Sequence, residues 1–327
     1  MSAARRVLVT GASGFVGSHT AENLAAHGWT VRALVRTTSS RRWLESFPHE
    51  VAFADVRDDA RLAEACRDCD AVVHAAGITN ARRTAEYFEV NAAGTQRLWR
   101  GARQAGVGRF LFVSSLAAGG PSRDGVLRDE TTPPAPISAY GRSKLEGERI
   151  VLEAGSGPAA VVVRPPAVYG PRDPDVLTLV RFAKSGYFPM TLRGRRQASM
   201  VYATDLAEGM RLALEKGPAG RVYYVTDGAV HDLPEVAAAM GRALGRRVRA
   251  VSVPAAVLTA AALGGELWNR LRPTPAALNL DRARQFGAGE WTASDRRARD
   301  ELGYASQYDL ERGLTETIAW YRRIGWI

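Results

Sequence analysis

Tyr140 and Lys144 stand four residues apart in Ser138-Ala-Tyr140-Gly-Arg-Ser-Lys144-Leu-Glu-Gly-Glu148, just after a proline-rich loop from Thr131 to Pro136. On a helix that spacing puts both side chains on one face. A free tyrosine titrates at about 10, too high to exchange protons readily at neutral pH. An ammonium held nearby favours the phenolate, so the pair has the makings of an acid–base device. Taken alone, such a pair is usually just two solvated neighbours. Upstream, Arg109-Phe-Leu-Phe-Val-Ser114-Ser115 reads as an apolar strand that delivers two hydroxyls at its carboxyl end. In open α/β sheets that is the end at which ligands bind.

The elements that would hold these groups begin at the N-terminus. Val7-Leu-Val-Thr-Gly11-Ala-Ser13-Gly14-Phe15-Val16-Gly17-Ser18 is a buried strand, a tight glycine turn and a helix start. Gly11 permits the turn, Gly14 lets the backbone approach a pyrophosphate, and Gly17 lets the helix pack close on the strand. The helix N-terminus adds free N–H groups and partial positive charge for phosphates. Val31-Arg-Ala-Leu-Val35 is the second strand. About 20 residues past the glycines, dinucleotide folds carry an acidic residue for the ribose hydroxyls. Arg36 stands there instead, followed by Thr37, Thr38, Ser39, Ser40, Arg41 and Arg42. A guanidinium with hydroxyls suits a 2′-phosphate, so NADP(H) is expected over NAD(H). The plain alternative is an exposed strand end with ordinary loop residues.

Val51-Ala-Phe-Ala-Asp55-Val56 is expected as a third strand ending in Asp55, within reach of the adenine amino group. Leu62 to Cys66 reads as helix. Asp70-Ala-Val-Val-His74-Ala75-Ala76-Gly77 is another buried strand, closing on small residues that let the chain pass near a cofactor. His74 reads as a satisfied core histidine, with no Ser or Asp partner beside it. Asn91-Ala-Ala-Gly-Thr95 opens a helix running to Ala105. Cys66 and Cys69 form a lone C-x-x-C. No further ligands at zinc spacing are nearby, and the pair ends a helix rather than starting one, so no metal or redox site is expected.

Thr10-Gly-x-x-Gly-x-x-Gly17, Asp55-Val56, His74-Ala-Ala-Gly77, Asn91-x-x-Gly-Thr95, Ser114-Ser115, Tyr140-x-x-x-Lys144 and Arg164-Pro165-Pro166-Ala167-Val168-Tyr-Gly-Pro171 occur in one order. Together they resemble the extended short-chain dehydrogenase/reductases, the NAD-dependent epimerase/dehydratase family. The tail, Glu301-Leu-Gly-Tyr304 through Trp320-Tyr321, resembles that family's ending, so the likeness covers nearly the whole chain. It implies an NAD(P)-dependent enzyme with Tyr140 as general acid/base. Lys144 would supply the charge and hold the nicotinamide ribose. Ser115, selected over Ser114 by the family's serine-to-tyrosine spacing, would bond the substrate oxygen. Asn91 would stand near as a structural or proton-relay group, and Pro165 to Val168 would line the nicotinamide. Cofactor contacts are expected at Gly11, Ser13, Gly14, Phe15, Val16, Gly17, Arg36, Asp55, Val56, Ala75, Ala76, Gly77, Ser114, Tyr140, Lys144, Pro165 and Val168.

Many members of that family are nucleotide-sugar epimerases or dehydratases with an arginine that binds the sugar diphosphate. In an ungapped comparison anchored on Asp205-Leu-Ala207 that position is Ala198, and Leu116-Ala-Ala-Gly-Gly120 replaces the usual Val-Tyr-Gly after the serines. Arg193, Arg195 and Arg196 are close enough to compensate. The chain is more similar to the 3β-hydroxysteroid dehydrogenase and dihydroflavonol reductase branch, which implies an alcohol/ketone oxidoreductase for a bulky, apolar small molecule. The segment Val251–Leu263, with Trp268 and Leu271, would form a lipophilic wall or lid, unless it merely packs a helical lobe. The alternatives are an epimerase or dehydratase retaining NAD, and a non-catalytic dinucleotide sensor.

Alternating strands and helices predict an α/β fold, a Rossmann-type doubly wound parallel sheet. Residues 1–170 and 201–227 are expected in the NADP-binding domain, with Val161–Arg164 and Val222–Val225 as late strands. Residues 171–200 and 228–327 form a smaller, mostly helical substrate lobe. The 327 residues, 46% hydrophobic, suffice for a full core, and the formal charge of +10 is almost all arginine. No run of five basic residues appears, so nucleic acid is not the expected partner. No apolar segment reaches the ~20 residues of a spanning helix. With two cysteines read as reduced and no signal peptide, a cytoplasmic setting is expected. The helices from Ala92 and Tyr140 commonly form a dimer bundle in the family, so monomer and homodimer both stay open.

Overall fold

The computed structural model describes residues 5–153, 155–191 and 196–327. Strand β1 (Arg6–Thr10) leads through the glycine turn into helix α1 (Phe15–Ala26). β2 (Thr30–Val35), β3 (Glu50–Phe53), α2 (Asp59–Ala65) and β4 (Ala71–His74) complete the first half. A continuous helical run follows: α3 (Thr84–Phe88), a π turn over Glu89–Ala93, and α4 (Gly94–Gln104). Then come β5 (Arg109–Val113), the single turn α5 (Leu116–Gly119), α6 (Ala139–Leu152) and β6 (Ala159–Arg164).

These strands and β11 (Val222–Tyr224) form one parallel seven-stranded sheet in the order β3-β2-β1-β4-β5-β6-β11. The chain reverses direction across the sheet between β1 and β4, which opens the crevice where such sheets bind ligands. Strand alternation divides the core in two. Leu8, Val72, Phe110, Phe112 and Val162 pack against α2, α4 and α6. Val7, Val9, Val73, Leu111 and Val163 pack on the other face against α1 and α8 (Ala203–Lys216). Each fully buried aliphatic side chain here contributes about 1.5–3 kcal/mol.

Three expectations shift by a few residues. The third strand stops at Phe53, so Asp55 lies beyond it, in the turn before α2. The helix around Asn91 begins at Thr84, and Asn91 sits inside its π turn rather than at its start. β5 ends at Val113, which leaves Ser114 and Ser115 on the exit loop.

The remaining elements form a second packed cluster. They include β7 (Ala167–Tyr169), α7 (Pro174–Lys184), β8 (Tyr187–Thr191), β9 (Gln197–Ala198) and β10 (Met200–Tyr202). After β11 follow β12 (His231–Asp232), α9 (Leu233–Leu244), β13 (Arg249–Val253), α10 (Ala255–Leu271), α11 (Leu280–Gly287) and α12 (Leu310–Arg323). β7 pairs with β10, β9 with β12, and β8 with β13. Tyr169, Val180, Tyr202, Met240, Leu314 and Tyr321 form its core. α10 buries only a narrow face at Ala262, Gly265 and Asn269. Val251, Val257, Leu263, Trp268 and Leu271 are exposed, so the lipophilic wall expected from them is turned outward. No helix among the described residues is long and apolar enough to cross a membrane.

Candidate active site

Gly11 adopts φ +68°, and a Cβ there would lie 2.8 Å from the Ala76 amide nitrogen and 2.9 Å from the Ala75 carbonyl. Only glycine lets β1 and β4 exit this close together. A Cβ on Gly17 would collide with the Gly11 carbonyl. Gly14 caps α1 without a side chain, and the first turn of α1 carries no acid. Its leading amides therefore have no side-chain acceptor, an arrangement that suits an anion. Ser13, Phe15 and Val16 are half-buried around it.

Thr10 Oγ1 accepts the Ala76 N–H at 3.1 Å, so its own proton goes to His74 Nδ1 at 2.7 Å. Thr95 Oγ1 donates to the Asn91 carbonyl at 2.6 Å and accepts from His74 Nε2 at 3.0 Å. These partners assign the Nε2-protonated tautomer. Burial first, then the Lys144 charge, pushes the imidazole down to about 3. His74 is a neutral core strut, as the sequence implied. Burial likewise pushes Cys66 and Cys69 up to about 12 and about 11, which leaves both thiols inert.

Tyr140 and Lys144 lie in α6, whose start is fixed by Ser138 accepting the Gly141 N–H at 3.0 Å. Lys144 Nζ donates to the Val113 carbonyl at 2.9 Å and sits 5.0 Å from the Phe112 ring centre. Burial brings it down to about 8, opposed by the charge of Glu148. Burial also pushes the Tyr140 phenol up to about 12, opposed by hydrogen bonding with Ser115. The phenol is thus neutral in the free protein. Ser115 caps α5, accepting the Ala117 N–H at 3.1 Å. Gly77 completes the cluster: a Cβ there would meet Asn91 Oδ1 at 3.0 Å and Lys144 Nζ at 3.1 Å.

Two expected site residues are committed elsewhere. Ser114 donates to Glu148, which holds Arg164 bidentately at 2.8 and 2.6 Å, and Arg164 donates to Tyr224 Oη at 3.0 Å. Its hydroxyl therefore faces the buried ion pair and not the crevice. Asn91 accepts the Ile78 N–H at 2.9 Å and donates to the Ile78 carbonyl and Ser143 Oγ, each at 3.0 Å. It ties the β4 exit loop to α6 and has no proton left to relay.

At the far edge, Arg36 is exposed and its charge reaches Asp55. Both Asp55 oxygens are held by Arg57, through Nε at 2.7 Å and Nη2 at 2.9 Å, which keeps the carboxyl below its usual range. That clamp competes with the expected adenine bond. Val56 is buried against the chain at Gly94, Pro165 is buried with its carbonyl taken by the Leu116 N–H at 2.8 Å, and Val168 is half-buried on β7. Ala198 is half-buried in β9; Arg193 and Arg195 lie outside the described residues.

Sequence reasoning missed Glu148, Arg57 and Asp281. Glu148 was findable, being four residues past Lys144 on the same helix face. Asp281 was not: it reaches across 142 residues to accept the Ala139 N–H at 2.6 Å, and the Tyr140 N–H at 3.2 Å. A polar cavity of about 490 Å³ opens beside it, lined by Arg82, Tyr87, Glu266 and Asn269.

Sheet order, glycine cradle and the Tyr–Lys face define a nicotinamide dinucleotide-dependent α/β enzyme. The chain belongs to the NAD-dependent epimerase/dehydratase family, whose profile matches residues 7–226, and is thereby an extended short-chain dehydrogenase/reductase. It is 34% identical to a Stigmatella aurantiaca 4-hydroxy-2-methyl-3-oxo-4-farnesyl-3,4-dihydroquinoline-1-oxide ketoreductase, over 94% of each chain. It is 32% identical to a ceramide reductase of Caulobacter vibrioides, over 98% of this chain and 96% of that one. Among solved structures, the Thermus thermophilus UDP-glucose 4-epimerase in complex with NAD superposes with a TM-score of 0.77 at 27% identity, over 97% and 99% of the two chains.

Proposed function

We propose that the protein is an NADP(H)-dependent oxidoreductase that interconverts a secondary alcohol and a ketone on a bulky, lipid-like substrate. The observation that carries this reading is the convergence of Ser115, Tyr140 and Lys144 at the carboxyl end of β5. The neutral Tyr140 phenol is the proton donor to a ketone oxygen, and in the reverse direction its phenolate takes the proton from the alcohol. Ser115 holds that oxygen in place. Lys144 binds the ribose hydroxyls, and its charge stabilises the phenolate. When bound, the nicotinamide supplies or accepts the hydride. Asn91 acts as a positioning residue, and Ser114 contributes through the Glu148–Arg164 pair.

Arg36 supports NADP(H), because Asp55, the carboxylate its charge reaches, is already held by Arg57. Ala198 in place of a diphosphate-binding arginine supports a substrate without that group. The farnesyl and ceramide substrates named for the two relatives support a long apolar chain. Residues 171–200 and 228–327 would form the lobe that receives it.

The test has two arms. Denaturing the purified protein and identifying the released nucleotide separates a dehydrogenase, expected empty, from an epimerase, expected to release NAD. NADPH oxidation is then measured with long-chain ketones and with UDP-glucose. Turnover confined to the nucleotide sugar would overturn the proposal.

A further inference from the structure

We infer that the outer face of α10, with the arginines flanking it, is a docking surface for an anionic lipid bilayer. α10 has 17 residues, and its buried positions fall on one narrow stripe. Apart from half-buried Leu258 and Glu266, its other positions are exposed, and the large side chains among them are nearly all apolar: Val257 (55% exposed), Leu263 (54%), Leu267 (57%), Trp268 (48%) and Leu271 (72%). Only Thr259 and Arg270 interrupt this face. Single exposed apolar side chains are ordinary, but a contiguous helical face of them marks an interaction site.

Charge says what covers it. Between Gly245 and Arg272 there are five arginines, at 246, 247, 249, 270 and 272, and one carboxylate, Glu266. Glu266 is turned inward and accepts the Leu280 N–H. All five arginines are exposed. Arg272 lies 5.6 Å from the Trp268 ring centre, so a cation rides at the edge of the apolar face. An apolar helix face with tryptophan and a basic border matches the boundary between acyl chains and anionic headgroups. A second copy fits poorly, because a two-fold contact through this face would set arginines against arginines.

The position also has a use. The inner side of α10 lines the cavity beside Tyr87 and Asp281, and Asp281 binds the Tyr140 amide. A bilayer against the outer side would lie one helix away from the catalytic helix. An apolar substrate would then pass from membrane to site with little exposure to water. The surface itself does not depend on the redox reading, since its test needs no turnover.

The experiment is sedimentation of the full chain with vesicles of phosphatidylcholine, with and without phosphatidylglycerol. Binding to the anionic vesicles, weakened by salt, is expected. Leu263→Glu/Leu267→Glu should lower the partition coefficient at least about tenfold. Arg246→Gln/Arg247→Gln/Arg249→Gln should lower it by up to about fivefold per charge. NADPH affinity, which reports an intact fold, should not change in either variant. Equal partition of wild type and variants would overturn the inference. So would concentration-dependent dimers, seen without lipid and lost in the Leu263→Glu/Leu267→Glu variant, because the face would then belong to a second copy.

Discussion

Replacing Glu148 by Gln separates two jobs that one buried carboxylate performs. Glu148 and Arg164 are 2% and 5% exposed at their side chains, and the pair closes bidentately. Glutamine would leave the Arg164 guanidinium without its counter-charge, a loss of about 3–5 kcal/mol in unfolding free energy. Glu148 is also the group that opposes the depression of Lys144. Two opposite charges about 6 Å apart at an effective dielectric near ~20 couple by about 3 kcal/mol, or about two pKa units. Lys144 should therefore fall from about 8 in the wild type to about 6 in the variant. Because a lowered pKa means the charge is lost as pH rises through it, NADPH affinity should begin to fall about two pH units earlier than in wild type. Urea unfolding and NADPH fluorescence titrations across pH measure the two effects separately. Adding Arg164→Met should restore most of the stability, since the orphaned charge is gone, while the early loss of affinity persists. Superimposable affinity profiles for Glu148→Gln and wild type, at reduced stability, would refute the coupling and leave Glu148 a packing partner only.

The other predictions are simpler. Tyr140→Phe should cut turnover by at least about 10²-fold while NADPH affinity stays within a few-fold, measured by steady-state kinetics and titration. Arg36→Glu should weaken NADPH by about 10–100-fold and NADH far less, because it puts a carboxylate where the 2′-phosphate would lie; equal effects would remove Arg36 as the selector. Asp173 caps α7 by accepting the Asp175 N–H at 2.7 Å, but its Oδ2 is buried without a partner, and burial pushes its pKa up to about 7. A raised carboxyl gives its full stability below about 4 and loses it as pH rises through about 7. Asp173→Asn keeps the cap, so it should gain about 2–4 kcal/mol at alkaline pH and nothing at pH ~4, read by urea unfolding at both.

The N-terminal half was legible because its signals are local. Three glycines, a strand rich in β-branched residues and a helix start within one stretch have few other uses, and the doubly wound parallel sheet followed from alternation. His74 was also readable, since a histidine at the end of a buried apolar strand needs only nearby hydroxyls, and Thr10 and Thr95 provide them. Ser114 was not. The family's spacing chose Ser115 for the substrate oxygen and left Ser114 as a cofactor contact; what turns Ser114 away from the crevice is a carboxylate on α6 and an arginine on β6, neither readable from the adjacent pair. α10 failed for a different reason: an apolar run does not say which of its sides finds a partner. The segment was read as a lipophilic wall or as packing of a helical lobe, and the burial of Ala262, Gly265 and Asn269, with Gly265 close against the Leu278 carbonyl, shows which stripe is inside.

Asp281 ties these halves together. The first amides of α6 need acceptors, and Ser138 satisfies only one of them. Asp281, at the start of α11, takes the amides of Ala139 and Tyr140 with one carboxylate, and its charge favours the positive end of that helix. Asn279 holds α11 in place by donating to Asn80 Oδ1 at 3.2 Å and to the Ala81 carbonyl at 3.3 Å. The helix that carries Tyr140 is therefore seated by the same segment that closes the cavity under α10. A disturbance of α10 reaches the phenol through two hydrogen bonds, whereas the glycine cradle contacts neither. Substrate handling and cofactor binding should accordingly respond separately to mutation in this chain, even though both meet at Tyr140.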